Sequence, residues 1–191
     1  MCICLPLSTI AQVQQYKELC TPNDDYATSF RTVKNGVEIW LNTSDGMKNS
    51  RSRRLIKVQC NNSTLLNGNV LPEPINQREE NSHRVYLDGS PTFAYCDTTY
   101  GIFVSNRSHN GADMDNDLYE MTLVENQWKV RRIDELNSLY WDDSPCLSKD
   151  GNILFFATTR DNPNTGLTNI YYSIRTNAGW STPQPLSDVN T

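Results

Sequence analysis

Two long stretches of the chain repeat one another. Residues 88–137 read DGSPTFAYCDTTYGIFVSNRSHNGADMDNDLYEMTLVENQWKVRRIDELN, and residues 142–190 read DDSPCLSKDGNILFFATTRDNPNTGLTNIYYSIRTNAGWSTPQPLSDVN. The matching positions are Ser90 and Pro91 with Ser144 and Pro145, 103–107 with 156–160, 117–119 with 169–171, Trp128 with Trp180, and Asn137 with Asn190. Their offsets stay within 52 to 54 residues. Similarity at a long, nearly constant period predicts two copies of one structural unit.

A third and weaker copy precedes these two. Its matches are 27–30 with 90–93, 36–41 with 101–106, 54–58 with 117–121, and 74–76 with 135–137. It lacks the Trp that the other copies carry near their end. The chain therefore divides into an N-terminal strand and helix segment, 1–24, and three repeats at about 25–84, 85–138 and 139–191.

Each repeat is predicted to form four short strands. In the last repeat the strands cover about 144–148, 152–159, 168–175 and 180–186, with turn residues between them. They are rich in the β-branched and aromatic residues that sheets favour. Four-stranded units at a period of roughly 40–50 residues are typical of propeller blades. We therefore expect an all-β fold of four-stranded propeller blades, about three per chain.

The segment before the repeats has a different pattern. Thr9 and Gln12 form a capping-box pair, and apolar residues then follow near helical spacing until Pro22. This pattern predicts a short N-terminal helix.

The last repeat carries a family resemblance. Its run DSPCLSKDGNILFFATTR (143–160), followed by NIYY, GWSTPQPL and VN, resembles the WD40-like β-propeller repeat called PD40, found in TolB-like proteins. Residues 88–191 match this repeat well, and the first copy matches it loosely. The resemblance implies a propeller fold and is nearly silent about function.

Three blades do not close a ring, because closed propellers typically have 4–8 blades. Open flanks invite association. Either two chains join as a homodimer with a six-bladed ring, or the chain is a fragment of a longer propeller. We expect the dimer.

Composition limits the partners. The net charge is −5, which disfavours nucleic acid, and the short apolar runs exclude membrane-inserted helices. The six Cys are irregularly spaced, which predicts free, mostly buried thiols rather than a zinc site. The N-terminus lacks the basic region of a secretory signal, which favours a cytoplasmic location, or a periplasmic or extracellular one if a leader has been removed.

Two groups of residues are candidates for ligand binding. Tyr140, Trp141, Asp142 and Asp143 precede the first strand of the last repeat and could form an aromatic and acidic contact surface at one end of the ring. Arg107 and Arg160 recur at one repeat position, after the second strand. A repeated Arg serves either as a ligand contact or as a structural donor to strand-end carbonyls or a neighbouring Asp.

One segment resembles the start of a calcium-binding loop. Asp113, Asp115 and Asp117 alternate as EF-hand ligands do, but Leu118 stands where the loop needs Gly and Val124 where it needs Glu. Capping of a turn explains Asp117 equally well. Calcium is therefore the one cofactor that we consider.

No motif indicates catalysis. The chain has neither a G-x-S-x-G motif nor a P-loop, and its two His, His83 and His109, leave few options for a triad. We therefore expect a non-enzymatic binding scaffold that engages a protein or peptide through loops at one end of the blades. The alternative is a propeller-type glycoside hydrolase or carbohydrate-binding protein.

Overall fold

The protein is all-β in the part of the chain that the structure describes. The computed structural model describes residues 25–44, 52–61, 64–66, 68–77, 85–107 and 115–190. Within these residues every regular element is a β-strand, and the strands form three antiparallel sheets. The predicted helix falls in 1–24, which lies outside them. No helix in these ranges is long and apolar enough to cross a membrane.

Each repeat supplies one sheet. The first sheet contains β1 (Asp25–Val33), β2 (Gly36–Ser44), β3 (Arg53–Asn61), β4 (Thr64–Leu65) and β5 (Asn69–Val70). The second contains β6 (Gly89–Phe93), β7 (Tyr100–Ser105), β8 (Asp117–Val124) and β9 (Gln127–Arg132). The third contains β10 (Asp142–Leu147), β11 (Ile153–Thr158), β12 (Asn169–Thr176), β13 (Gly179–Trp180) and β14 (Gln184–Pro185). In the first and third sheets the outermost strand is split into two short pieces, and both pieces pair with the same neighbour.

Tight turns make each sheet a meander. Glu125 and Asn126, with φ of 50° and 63°, join β8 to β9 directly. Two consecutive residues with positive φ are the geometry of a two-residue hairpin whose twist matches that of the strands. The register then runs without interruption from the pair Val124 and Gln127 to the pair Tyr119 and Arg132.

An Asn side chain closes each repeat against its third strand. Asn76 accepts a hydrogen bond from Leu55 N at 2.7 Å and donates to Leu55 O at 2.7 Å. Asn137 pairs with Leu118 and Asn190 with Ile170 in the same two-bond pattern. The three sheets are therefore alike in detail as well as in strand order.

The sheets pack side by side, with their first strands adjacent. β1 contacts β6, and β6 contacts β10. Between the first two sheets lies a core that contains Trp40 and Phe93, whose ring centroids are 4.9 Å apart. Between the second and third sheets lies a core that contains Ile102 and Leu154. The central sheet is thus covered on both faces.

Two details differ from the sequence predictions. Cys96 and Cys146 are exposed and Cys60 is half-buried, so the prediction of mostly buried thiols is wrong for Cys96 and Cys146. In the first repeat, the second strand aligns three residues away from the predicted register. Thr43 lies opposite Asp25 as Thr158 lies opposite Asp142.

Candidate functional site

The first strand of every sheet carries a bulge at the same repeat position. The register of pairing shifts between residues 26 and 29, between 89 and 92, and between 143 and 146. At the bulges Ala27, Ser90 and Ser144 have φ of 54°, 46° and 52°. A left-handed conformation costs a non-glycine residue roughly 1–2 kcal/mol. Strain at three equivalent positions marks the bulges as a shared feature of the fold, and bulges often re-aim residues at functional sites.

The three bulges meet at one cavity. Its volume is about 220 Å³, and its lining takes two residues from each sheet: Ala27, Thr28, Ser90, Pro91, Ser144 and Pro145. The first strands of all three sheets therefore contribute equivalent residues to a single opening.

The chemistry of the lining is neutral. Its residues are three that carry a hydroxyl (Thr28, Ser90 and Ser144) and three that are apolar (Ala27, Pro91 and Pro145). Proline has no backbone N–H, so Pro91 and Pro145, which are both buried, add no backbone donor to the cavity. The cavity thus offers hydrogen-bonding oxygens and small apolar surfaces without a charge.

A buried ion pair lies beside the bulge of the second sheet. Asp88, which is 1% exposed, accepts hydrogen bonds from Arg107 Nη2 at 2.9 Å and Ser105 Oγ at 2.7 Å. Arg107 also donates to the carbonyls of Pro74 and Ile75 at 2.7 and 2.6 Å. The pair therefore joins the second sheet to the connection that leaves the first.

The third sheet repeats this arrangement. Asp142 is fully buried and accepts a hydrogen bond from Arg160 Nη2 at 2.7 Å, while Arg160 donates to Leu136 O at 2.8 Å. The guanidinium carbon of Arg160 lies 5.3 and 4.9 Å from the ring centroids of Phe156 and Tyr171. Arg107 stacks between Phe103 and Tyr119 in the same way, at 5.1 Å from each. Both arginines thus make the structural contacts named as their alternative role, and a contact to ligand would be additional.

The predicted aromatic and acidic surface is only partly brought together. Tyr140 and Trp141 are 40% and 37% exposed, and the neighbouring Leu139 is 85% exposed. Asp142 is instead buried in its ion pair, and Asp143 is half-buried and accepts a hydrogen bond from Asn116 Nδ2 at 2.6 Å. The loop before β10 therefore presents an apolar and aromatic surface rather than an acidic one. It lies at the end of the strand that carries the bulge.

Two of the three predicted calcium ligands lie in the described residues, and their surroundings differ. Asp117 is fully buried, and its two oxygens accept hydrogen bonds from Arg132 at 2.8 and 2.9 Å. Asp115 is half-buried, and Asp113 lies outside the described residues. In the described ranges no group of three or more His, Cys, Asp and Glu side chains is placed to hold a metal ion. A calcium ion at Asp117 would have to compete with the Arg132 guanidinium.

Sequence reasoning missed the residues of the cavity. The recurrence of Ser and Pro at 90–91 and 144–145 is visible in the sequence and aligned two repeats, but nothing in it shows that the pairs from different sheets converge. Convergence follows only from the side-by-side packing of β1, β6 and β10. Comparison with known protein families and with curated proteins found no match for the chain.

Proposed function

We propose that the three sheets are propeller-type blades, as the resemblance to the PD40 repeat implies, and that the protein is a non-enzymatic binding module. Its ligand is a protein segment or peptide that binds at the cavity of the bulges and over the loop before β10. The observation that carries this proposal is the placement of the three strained bulges around one cavity. Strained backbone is retained where the surroundings enforce it, and such sites are often functional.

The chemistry of the surface favours a peptide as the ligand. Hydroxyl and carbonyl oxygens at the bulges can pair with the N–H groups of an extended chain. Beside them, Leu139, Tyr140 and Trp141 are exposed. Tyr and Trp are the side chains most often found at the energetic centres of protein interfaces.

The buried carboxylates favour binding over glycoside hydrolysis. Hydrolysis needs two carboxyl groups that face the substrate, one as acid and one as base or nucleophile. Asp88 and Asp142 are instead nearly or fully buried and paired with Arg107 and Arg160. Their geometry suits a structural role at the junctions between blades.

Selection from a phage-displayed library of random peptides tests the proposal. An enriched peptide is titrated by calorimetry into the wild type and into two variants, Ser144→Lys in the cavity and Trp141→Ser in the loop. Each variant is expected to weaken binding by about tenfold or more, as truncation at an interface centre does. The matched control is Leu167→Ser, at an exposed position on another loop, which should leave the affinity unchanged.

Two results would contradict the proposal. One is a peptide whose affinity is the same for the wild type and for both variants. The other is the absence of any enriched peptide together with turnover of a panel of aryl glycosides, which would favour the hydrolase alternative. Folding of each variant is checked by circular dichroism, so that a lost fold is not mistaken for a lost site.

A further inference from the structure

Among the described residues, no other sheet packs on one face of the third sheet. On this face side chains alternate along two paired strands: Ile153, Phe155 and Ala157 of β11, and Ile170, Tyr172 and Ile174 of β12. Ile170 and Ile174 are 37% and 49% exposed, and the other four are half-buried. We name these six residues the open face. It carries no charged side chain.

The same repeat positions are covered in the other two sheets. Because Thr43, Ser105 and Thr158 are equivalent, Phe155 corresponds to Trp40 of the first sheet and Ile102 of the second. Trp40 and Ile102 are both fully buried, each in the core between its own sheet and the next. Phe155 is half-buried instead, and no other sheet of the described residues packs against it.

The third strand repeats the contrast. Leu55, Leu118 and Ile170 are equivalent, because each is held by the Asn that ends its repeat. Leu55 and Leu118 are fully buried, whereas Ile170 is 37% exposed. The open face therefore has the composition of a junction between sheets, but none of the described sheets packs on it.

The first strand makes a polar contact at the junction between the second and third sheets. Thr92 of β6 is buried and accepts a hydrogen bond from Leu147 N of the third sheet at 3.1 Å. Its equivalent in the third sheet is Cys146, which is exposed and lies opposite Phe155. The Cys146 thiol is thus a natural reporter of whether the open face is covered.

At the opposite flank of the chain, one residue shows the complementary half of this junction. Phe30 of β1 is equivalent to Phe93 and Leu147, which are 9% and 8% exposed because each packs against the preceding sheet. Phe30 is 64% exposed, and within the described residues no sheet comes before its own.

We infer that the open face binds the first sheet of a second copy of this chain, with Phe30 of that copy packed on Phe155 as Phe93 packs on Trp40. Two such contacts related by a two-fold axis close a ring of six sheets, within the range of closed propellers. The inference rests on the proposed blade architecture. Its readout is the oligomeric state, which does not depend on peptide binding.

On the side of the second copy, the proposed contact involves β1 rather than the whole first sheet. Ile39, Leu41, Ile56 and Val58 form a separate buried cluster of that sheet and are at most 7% exposed. Phe30 is therefore the apolar side chain of this flank that is available to the open face. This makes one substitution on each side sufficient to test the pairing.

The first experiment measures solution mass by light scattering after size exclusion. We expect the wild type to have twice the mass of the chain. Phe155→Glu, Ile174→Glu and Phe30→Lys should each raise the dissociation constant of the dimer by about tenfold or more. The matched control is Leu167→Glu, which places the same charge at an exposed position away from the open face.

Mixing separates this pairing from a face-to-face dimer. Phe155→Glu and Phe30→Lys each damage both contacts of their own homodimer. A mixture of the two has one wild-type contact and one Glu–Lys contact, so the heterodimer should form where neither variant dimerises alone. If Phe30→Lys dimerises like the wild type while Phe155→Glu does not, two open faces pair with each other and the inference is wrong.

Thiol labelling gives an independent readout. Raising the concentration of the wild type should slow modification of Cys146 by iodoacetamide, while Cys96, which is exposed on the turn after β6, should react at a constant rate. The two rates are followed by mass spectrometry of the digested protein. A wild type that stays monomeric, or a Cys146 rate that does not depend on concentration, would overturn the inference.

Discussion

Arg160 Nη2 lies 2.7 Å from Oδ1 of Asp142, a carboxylate that is shielded completely from solvent. The second Asp142 oxygen accepts hydrogen bonds from the backbone and side chain of Ser138, at 2.6 and 2.8 Å. Since Arg160 also binds Leu136 O, the pair ties two strands of the third sheet to the connection from the second. Asp88 and Arg107 tie the second sheet to the connection from the first sheet in the same way.

Asp142→Asn should lower the free energy of unfolding by about 3–5 kcal/mol. The substitution keeps the shape but removes the charge that compensates the mostly buried Arg160 guanidinium, and breaking a buried pair from one side is strongly destabilising. Urea titration followed by circular dichroism measures the change.

An exposed ion pair provides the control for that prediction. Asp134 is 77% exposed and pairs with Arg132 at the surface. Asp134→Asn should change the free energy of unfolding by less than about 1 kcal/mol, because solvent screens such pairs. Equal effects of the two substitutions would show that the buried network at Asp142 does not stabilise the junction.

The Asn residues that close the first and third repeats should contribute differently to the free energy of unfolding. Asn76→Ala leaves the buried N–H of Leu55 without its partner and removes a donor from Leu71 O, while Leu55 O keeps its hydrogen bond from Leu71 N. An unsatisfied buried group costs about 1–3 kcal/mol. Asn190→Ala should cost less than about 1 kcal/mol, since Ile170 is exposed and water can replace the amide. Thermal unfolding of both variants measures the order, and an equal loss would contradict the role of burial.

Gly89→Ala should destabilise the first junction by about 1–3 kcal/mol, as overpacking does. A Cβ at Gly89 would lie 2.9 Å from Cγ of Asn42, whose Oδ1 accepts a hydrogen bond from Ser90 N. The control is Gly166→Ala. There a Cβ meets nothing within 4 Å, and the cost comes only from its φ of +69°. If Asn42→Ala in the Gly89→Ala background recovers no stability, the predicted clash is not the cause.

The sequence predicted the strands better than it predicted their contacts. The predicted strands 144–148, 152–159 and 168–175 correspond to Asp142–Leu147, Ile153–Thr158 and Asn169–Thr176. Alternation and turn residues are local, so they can be read from one segment at a time. The predicted alignment of β2 with β7 was wrong for two reasons. β2 is nine residues long and β7 is six, and the match was anchored on the glycine at the start of β2.

The candidate site was harder to predict because it is made by packing. Arg107 and Arg160 were identified by their repetition, but the burial of their partners Asp88 and Asp142, which decides their role, has no local signal. The cavity depends on three bulges, and a bulge is a shift in pairing between two strands rather than a residue type. Tyr140 and Trp141 are exposed, as their position between two predicted elements suggests, but the acidic part of the predicted surface is not present because Asp142 is buried.

A buried carboxylate at the first junction predicts how stability depends on pH. Glu38 accepts hydrogen bonds from Arg31 Nη1 at 2.6 Å, Lys57 Nζ at 2.9 Å and Trp40 Nε1 at 3.1 Å. Burial alone would raise the pKa of Glu38, but the hydrogen bonds from Lys57, Trp40 and Arg31 outweigh it and hold the pKa below its ordinary value. The folded state therefore binds a proton at Glu38 less readily than the unfolded state does.

A lowered pKa in the folded state adds stability above the ordinary pKa of the group, and this stability is lost as the pH falls through the folded value. Glu38→Gln should therefore be less stable than the wild type at pH 7, because the buried Arg31 loses its counter-charge. The difference between the two should narrow as the pH falls below about 4.5. Urea titrations between pH 7 and pH 3, the usual range for carboxylates, measure it. A constant difference across this range would mean that the charge of Glu38 does not stabilise the junction, and that its hydrogen-bonding shape, which Gln preserves in part, accounts for its role.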